Sequence, residues 1–79
     1  MLKLIIAHPC PYCILVTDFI KKHNISSVEI HDTHWDPEEH QNLKNNYGKT
    51  QVPLLLINDS PLYESSDIIE YLKENELWT

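Results

Sequence analysis

Arginine is missing from this chain: all 6 basic residues are lysines, set against 12 acidic ones, for a formal charge of −6 with the histidines neutral. A nucleic-acid binder gathers basic residues on one face, and the pair Lys21-Lys22 is too little for that. An acidic surface aids solubility and disfavours anions at long range, so an anion bound here has to be held by local donors. Long apolar runs are missing too: stretches such as "LIIA" and "LLLI" are far short of the ~20 residues that span a bilayer. Lys3 interrupts the first apolar stretch and no small-residue cleavage site follows, so the start reads as a strand rather than a signal peptide, and a cytosolic setting is expected. Glycine occurs once, at Gly48, where a tight left-handed turn is expected. Cysteine occurs only at Cys10 and Cys13. Closing so small a loop removes little unfolded-chain entropy, and cytosolic proteins rarely keep such bonds, which argues against a structural disulfide.

What is present fits one small domain, residues 1–79, able to bury about 60–65% of the surface its unfolded chain exposes. Residues 2–7 are short, apolar and β-branched, and read as a buried strand. Pro11 suits the first turn of a helix, in which Leu15 and Phe19, and Val16 and Ile20, recur at helical spacing. Lys21, Lys22 and His23 fall in its last turn, and Asn24 can take the left-handed cap. "SVEIHD" alternates as a second strand. Asp36 caps a second helix with Pro37 at its first position, Glu38 and Glu39 suit its positive end, and Gly48 stops it. "VPLLLI" is a strand buried on both faces, "NDSP" a turn, "PLYE" a short fourth strand and "SSDIIEYLKENEL" a last helix with Ile68, Ile69 and Leu72 on one face. The order β-α-β-α-β-β-α predicts an α/β fold: a mixed four-stranded sheet with helices on both faces.

In "HPCPYC", Cys10 falls at the cap of the first helix, where open backbone N–H groups and the positive dipole end stabilise a thiolate. Cys13 lies one turn on, on the same side, within reach for bond formation. Cys10 is therefore the expected nucleophile and Cys13 the resolving thiol. A zinc site would need two more ligands, and His31-x-x-His34 is the only candidate pair, so no metal is expected. His8 either supports the thiolate when protonated or is a partly exposed loop histidine. Tyr12 flanks the thiols. In "KTQVP", Pro53 opens what otherwise reads as a central strand, with Val52–Pro53 either cis, freeing the Val52 backbone for an extended thiol peptide, or trans. In "YESSD", the N–H groups and hydroxyls of Ser65 and Ser66 form a small anion trap or simply cap a helix.

"CPYC", "TQVP" and "LYESSDIIEYL", in this order and spacing, resemble a glutaredoxin, and more narrowly the glutaredoxin-like N-terminal domain of glutathione transferases, where "VP" and "ES" recur. The resemblance covers essentially the whole chain. It implies a thioredoxin-like fold, glutathione as reductant and co-substrate, and a cis proline at Pro53. It also implies roles for single residues. Cys10 matches the nucleophile, Cys13 the second thiol, and Tyr12 the tyrosine beside the bound tripeptide. Val52 matches the residue whose backbone pairs with the cysteinyl unit. Glu64, Ser65 and Ser66 fall where the γ-glutamyl end is held, with Asp67 a candidate for its ammonium group. The sequence also departs from the pattern. Ala7 stands where many glutaredoxins carry a lysine, "ES" replaces their "GG", and Lys49 or Gln51 must stand in for an arginine at the glycine carboxylate.

The expected function is glutathione-dependent reduction of protein disulfides and of glutathione mixed disulfides, by a monomer acting on disulfide-containing or glutathionylated proteins. Transferase activity is not expected, because the helical domain that forms the electrophile pocket does not follow in the sequence. Two rivals remain: a carrier of a [2Fe–2S] cluster shared with glutathione, which a stiff Pro11 turn disfavours, and a non-catalytic binding module, which would be expected to lack the paired thiols.

Overall fold

The computed structural model describes residues 2–76. In chain order the elements are β1 (Leu2–Ile6), α1 (Pro11–Lys22), β2 (Val28–Asp32), α2 (Pro37–Tyr47), β3 (Leu54–Ile57), β4 (Ser60–Leu62) and α3 (Ser65–Glu76). The expected end of the last helix at Leu77 lies outside the described residues. The sheet order is β2-β1-β3-β4. β1 runs parallel to β2, with Ile6 opposite Asp32, and antiparallel to β3, with Leu4 opposite Leu55. The parallel pair joined through α1 and the closing antiparallel hairpin are both formed. That hairpin turns on Asn58 and Asp59, at φ 50° and 72°, and brings Ile57 opposite Ser60. Two consecutive positive φ values suit the twist of the flanking strands, and Asn and Asp tolerate them better than most residues.

Period-two alternation gives the sheet two buried faces. Leu2, Leu4, Ile6 and Leu55 meet Cys13, Val16 and Ile20 of α1 and Ile68 and Leu72 of α3. On the other face Ile5, Leu54 and Leu56 meet Leu43 of α2. Helices therefore cover both sides, and the larger core lies under α1 and α3.

Most ends fall where local chemistry puts them. Asn24, at φ 54°, closes α1: its N–H donates to Lys21 O at 3.2 Å and that of Ile25 to Ile20 O at 3.0 Å, so these two carbonyls of the last turn are satisfied. Asp36 caps α2 by accepting from Glu38 N at 3.1 Å, and Gly48, at φ 83°, ends it. Three details differ from expectation. β3 starts at Leu54 rather than Val52, because Pro53 has no N–H to give the ladder. β4 is Ser60–Leu62, which leaves Tyr63 and Glu64 in the connection to α3. In α1 the buried stripe is Cys13, Val16, Thr17 and Ile20, while Leu15 is 54% exposed.

Candidate active site

The carboxyl ends of the parallel pair β1 and β2 leave the sheet side by side, and the two segments that follow are tied together. Thr33, 2% exposed, donates its N–H and its hydroxyl to Ile6 O at 2.8 and 3.0 Å. Its hydroxyl proton is thus spent, so it accepts from His40 Nε2 at 2.9 Å. The His40 ring stacks on Trp35 with centroids 5.2 Å apart. Trp35 Nε1 donates to Pro9 O at 3.2 Å, directly beside Cys10. The sequence assigned Trp35 no role, since nothing local links it to a residue 26 positions away.

Cys10 caps α1 with extended backbone, φ −159° and ψ 106°, and its Sγ accepts the Cys13 N–H at 3.3 Å. Its carbonyl accepts from Ile14 N at 3.1 Å. This is the helix-start placement that a thiolate needs. The sulfur is more enclosed than an N-cap position implies: Cys10 is 6% exposed, packed into the α1–α3 core with Pro9 held in place by Trp35. Both cysteines are free thiols. Cys13 is fully buried, and burial first, then its bond with Cys10, pushes its thiol up to about 12, against a smaller downward pull from the Ala7 backbone.

A second acid–base pair stands beside the thiols. His8, two residues before Cys10 and 47% exposed at its side chain, bonds through Nδ1 to Asp32 Oδ2 at 2.6 Å. Asp32 Oδ1 also accepts from the His34 N–H at 2.9 Å, and His34 Nδ1 lies 3.7 Å from the same oxygen. The His34 backbone bond first, and then His8, hold the Asp32 carboxyl below the usual carboxylate range. The histidine pair considered for zinc is thus divided: His34 faces Asp32, whereas His31 Nε2 donates to Glu39 Oε1. Among the described residues, no group of three or more His, Cys, Asp and Glu side chains converges as a metal ion would need.

On the far side of the thiols a cleft of about 380 Å³ is lined by Tyr12, Gln51, Val52, Pro53, Glu64 and Ser65. Tyr12, between the two cysteines and 63% exposed, connects it to the thiol loop. Both the Val52–Pro53 and the His8–Pro9 bonds are cis. Glu64, at φ 72°, turns the chain into α3, accepts from Ile68 N at 3.0 Å through its carbonyl, and takes Gln51 Nε2 on its carboxylate at 3.1 Å. The first N–H groups of α3, at Ser65 and Ser66, are left open by helix geometry. The structure therefore brings six of the residues singled out in the sequence into one concavity. The others lie outside it. Lys49 lines a neighbouring hollow with Lys44, Gly48, Thr50 and Gln51, its Nζ 4.8 Å over the Tyr63 ring. Ser66 lines a separate hollow with Ile69 and Lys73, and Asp67 is exposed on the first turn of α3.

Residues 4–76 match the family described as glutathione S-transferase, N-terminal domain. Among solved structures, human glutathione S-transferase T1-1 in its apo form is 26% identical with a TM-score of 0.80, over 94% of this chain and 31% of the enzyme. The Tau class glutathione S-transferase of the mango Mangifera indica is 31% identical with a TM-score of 0.66, over 92% of this chain and 33% of that one. A thioredoxin-like protein, 24% identical with a TM-score of 0.70, matches over 94% of this chain and 97% of its own length, which speaks to the fold. The chain thus spans about a third of the transferases and nearly all of the thioredoxin-like protein. No curated protein sequence matches it. The chain belongs to the glutathione S-transferase N-terminal domain family and has the thioredoxin-like fold of that domain.

Proposed function

We propose that this domain is a glutathione-dependent thiol–disulfide oxidoreductase working through Cys10 and Cys13, as a monomer in a reducing, cytosolic compartment. The observation that carries the reading is the Cys10 sulfur at the start of α1, bonded by the Cys13 N–H and joined through Tyr12 to the cleft at Val52 and Ser65. The Cys10 thiolate attacks the glutathione sulfur of a mixed disulfide, forming Cys10–S–S–glutathione and expelling the protein thiolate. A second glutathione then releases oxidised glutathione, or Cys13 attacks Cys10 and expels glutathione as a thiolate. Glutathione lies along Val52 in a strand-like pairing, with its γ-glutamyl carboxylate on the open amides and hydroxyl of Ser65, its ammonium group on Glu64, and Gln51 or Lys49 toward its glycine end. Because Cys10 is 6% exposed, the loop carrying Pro9 has to yield for a disulfide to come in line with the sulfur.

Glutathione-coupled reduction of hydroxyethyl disulfide is the test. Cys10→Ser abolishes turnover, whereas Cys13→Ser keeps the glutathione route and loses reduction of protein disulfides. Wild-type turnover in Cys10→Ser would overturn the assignment. Family membership favours one other reading, the glutathione-binding half of a transferase. Conjugation of glutathione to an aryl halide, with no disulfide reduction, would support it.

A further inference from the structure

We infer that His8, oriented by Asp32, is the acid that protonates the thiolate leaving when Cys10 attacks a disulfide. This rests on the function proposed above and adds a residue to it. The geometry is that of a base and its orienting group. A carboxylate can only accept, so at 2.6 Å from Asp32 Oδ2 it is His8 Nδ1 that carries the proton, which leaves Nε2 at the opposite corner of the ring for exchange. Asp32 is in turn fixed by the His34 N–H at 2.9 Å and by its place opposite Ile6 at the end of the parallel pair. The loop between the imidazole and the nucleophile is pinned by the bond from Trp35 to Pro9 O. The ring is nearly half exposed, so an incoming disulfide can reach it, whereas Cys13 is sealed and holds its proton too tightly to serve as the donor. The charged groups around His8 are Asp32, which it bonds, and His34, which shares that carboxylate.

The step balances. Cys10 Sγ forms a bond to the near sulfur of R–S–S–R′, the S–S bond breaks, and R′–S⁻ leaves with the electron pair. His8 Nε2–H gives R′–S⁻ its proton and becomes neutral. It is recharged by the glutathione that reacts next, which must lose a proton to attack.

The test is stoichiometric exchange between the reduced protein and two neutral disulfides, read as the ratio of the two rates within each preparation. Hydroxyethyl disulfide expels a basic alkyl thiolate that benefits from a proton. Dithiodipyridine expels a thiolate that leaves unaided. Both rates scale with the active thiol, so differences in its concentration cancel from the ratio, and each variant is first shown to be folded by its circular dichroism. His8→Gln lowers the ratio of alkyl to pyridyl rates by roughly 10-fold or more, less than the usual ~100-fold general-acid effect because water shares the task at a half-exposed site. Asp32→Asn lowers it less. A ratio unchanged in His8→Gln overturns the inference, as does an equal fall in both rates, which would mean that His8 acts only on Cys10 or on the fold. Cys10→Ser separates the two proposals. If it is silent toward both reagents while His8→Gln behaves as wild type, only the role of His8 falls; if it still exchanges, the nucleophile itself is wrong and both fall.

Discussion

Cys13 shows how one methylene-thiol can be both core and chemistry. Its side chain has no surface in contact with solvent, and burial is the main reason that its thiol is pushed up to about 12. A thiol kept neutral by the fold makes folding weaker wherever the unfolded chain would already have lost the proton. The folded value lies above the ordinary 9.0, so the neutral form's contribution is complete below pH 9.0 and is lost as pH rises toward about 12. Urea midpoints of the reduced protein measured between pH 8 and 11 should therefore fall, and fall less in Cys13→Ala, after allowing for its lower starting stability. At neutral pH the same burial directs reagents elsewhere: iodoacetamide should attach once, at Cys10, as read by peptide mass. Equal labelling of both sulfurs would contradict the burial argument. The pairing of these cysteines was legible in "CPYC" because three-residue spacing on a helix is a local fact. The His8–Asp32 pair was not, because it joins residues 24 apart and exists only once β1 and β2 align with Ile6 beside Asp32.

At the scale of elements, the ends written into the chain by capping chemistry are the ones that the structure keeps. Asp36 opens α2 with its carboxylate and Pro37 with its ring, and Gly48 closes it with the left-handed backbone that the lack of a Cβ allows. Gly48 gives a clean measurement, since its φ is 83° and nothing lies within 4 Å of where a Cβ would stand. Gly48→Ala meets no clash and costs only the left-handed backbone, about 1 kcal/mol, as a lowered urea midpoint with unchanged slope. A loss several times larger would mean that the chain beyond Gly48 had moved. Elements whose limits depend on neighbours were read less well. Val52 looked like strand because apolar run and β-branching say so, but the strand needs an N–H that Pro53 lacks. Leu15 looked like core because it repeats with Phe19, yet sheet and α3 meet α1 along Cys13, Val16 and Ile20 instead. Helical periodicity allows both stripes, and only the sheet's position chooses between them.

Seen whole, the molecule is a sheet with unequal covers, and this bears on how the site moves. One face is sealed by two helices that contribute Cys13, Val16, Ile20, Ile68 and Leu72. The other is covered by α2, whose buried residue is Leu43, helped by half-buried Tyr47. Hydrophobic stabilisation follows apolar area removed from water, so α2 is the cover that separates from the sheet at least cost. It is also linked to the thiol loop, since His40 bonds Thr33 and stacks on Trp35, and Trp35 holds Pro9. An opening of α2 would therefore loosen the segment that keeps Cys10 at 6% exposure. Native-state hydrogen exchange should find α2 amides exchanging through a smaller opening free energy than those of β1, β3 and the central turns of α1. In Leu43→Ala that opening should become easier while α1 keeps its protection, and alkylation of Cys10 should quicken in step with it. If α2 proved as protected as β1, or Leu43→Ala left the Cys10 rate unchanged, the cover on this side would not govern access to the sulfur.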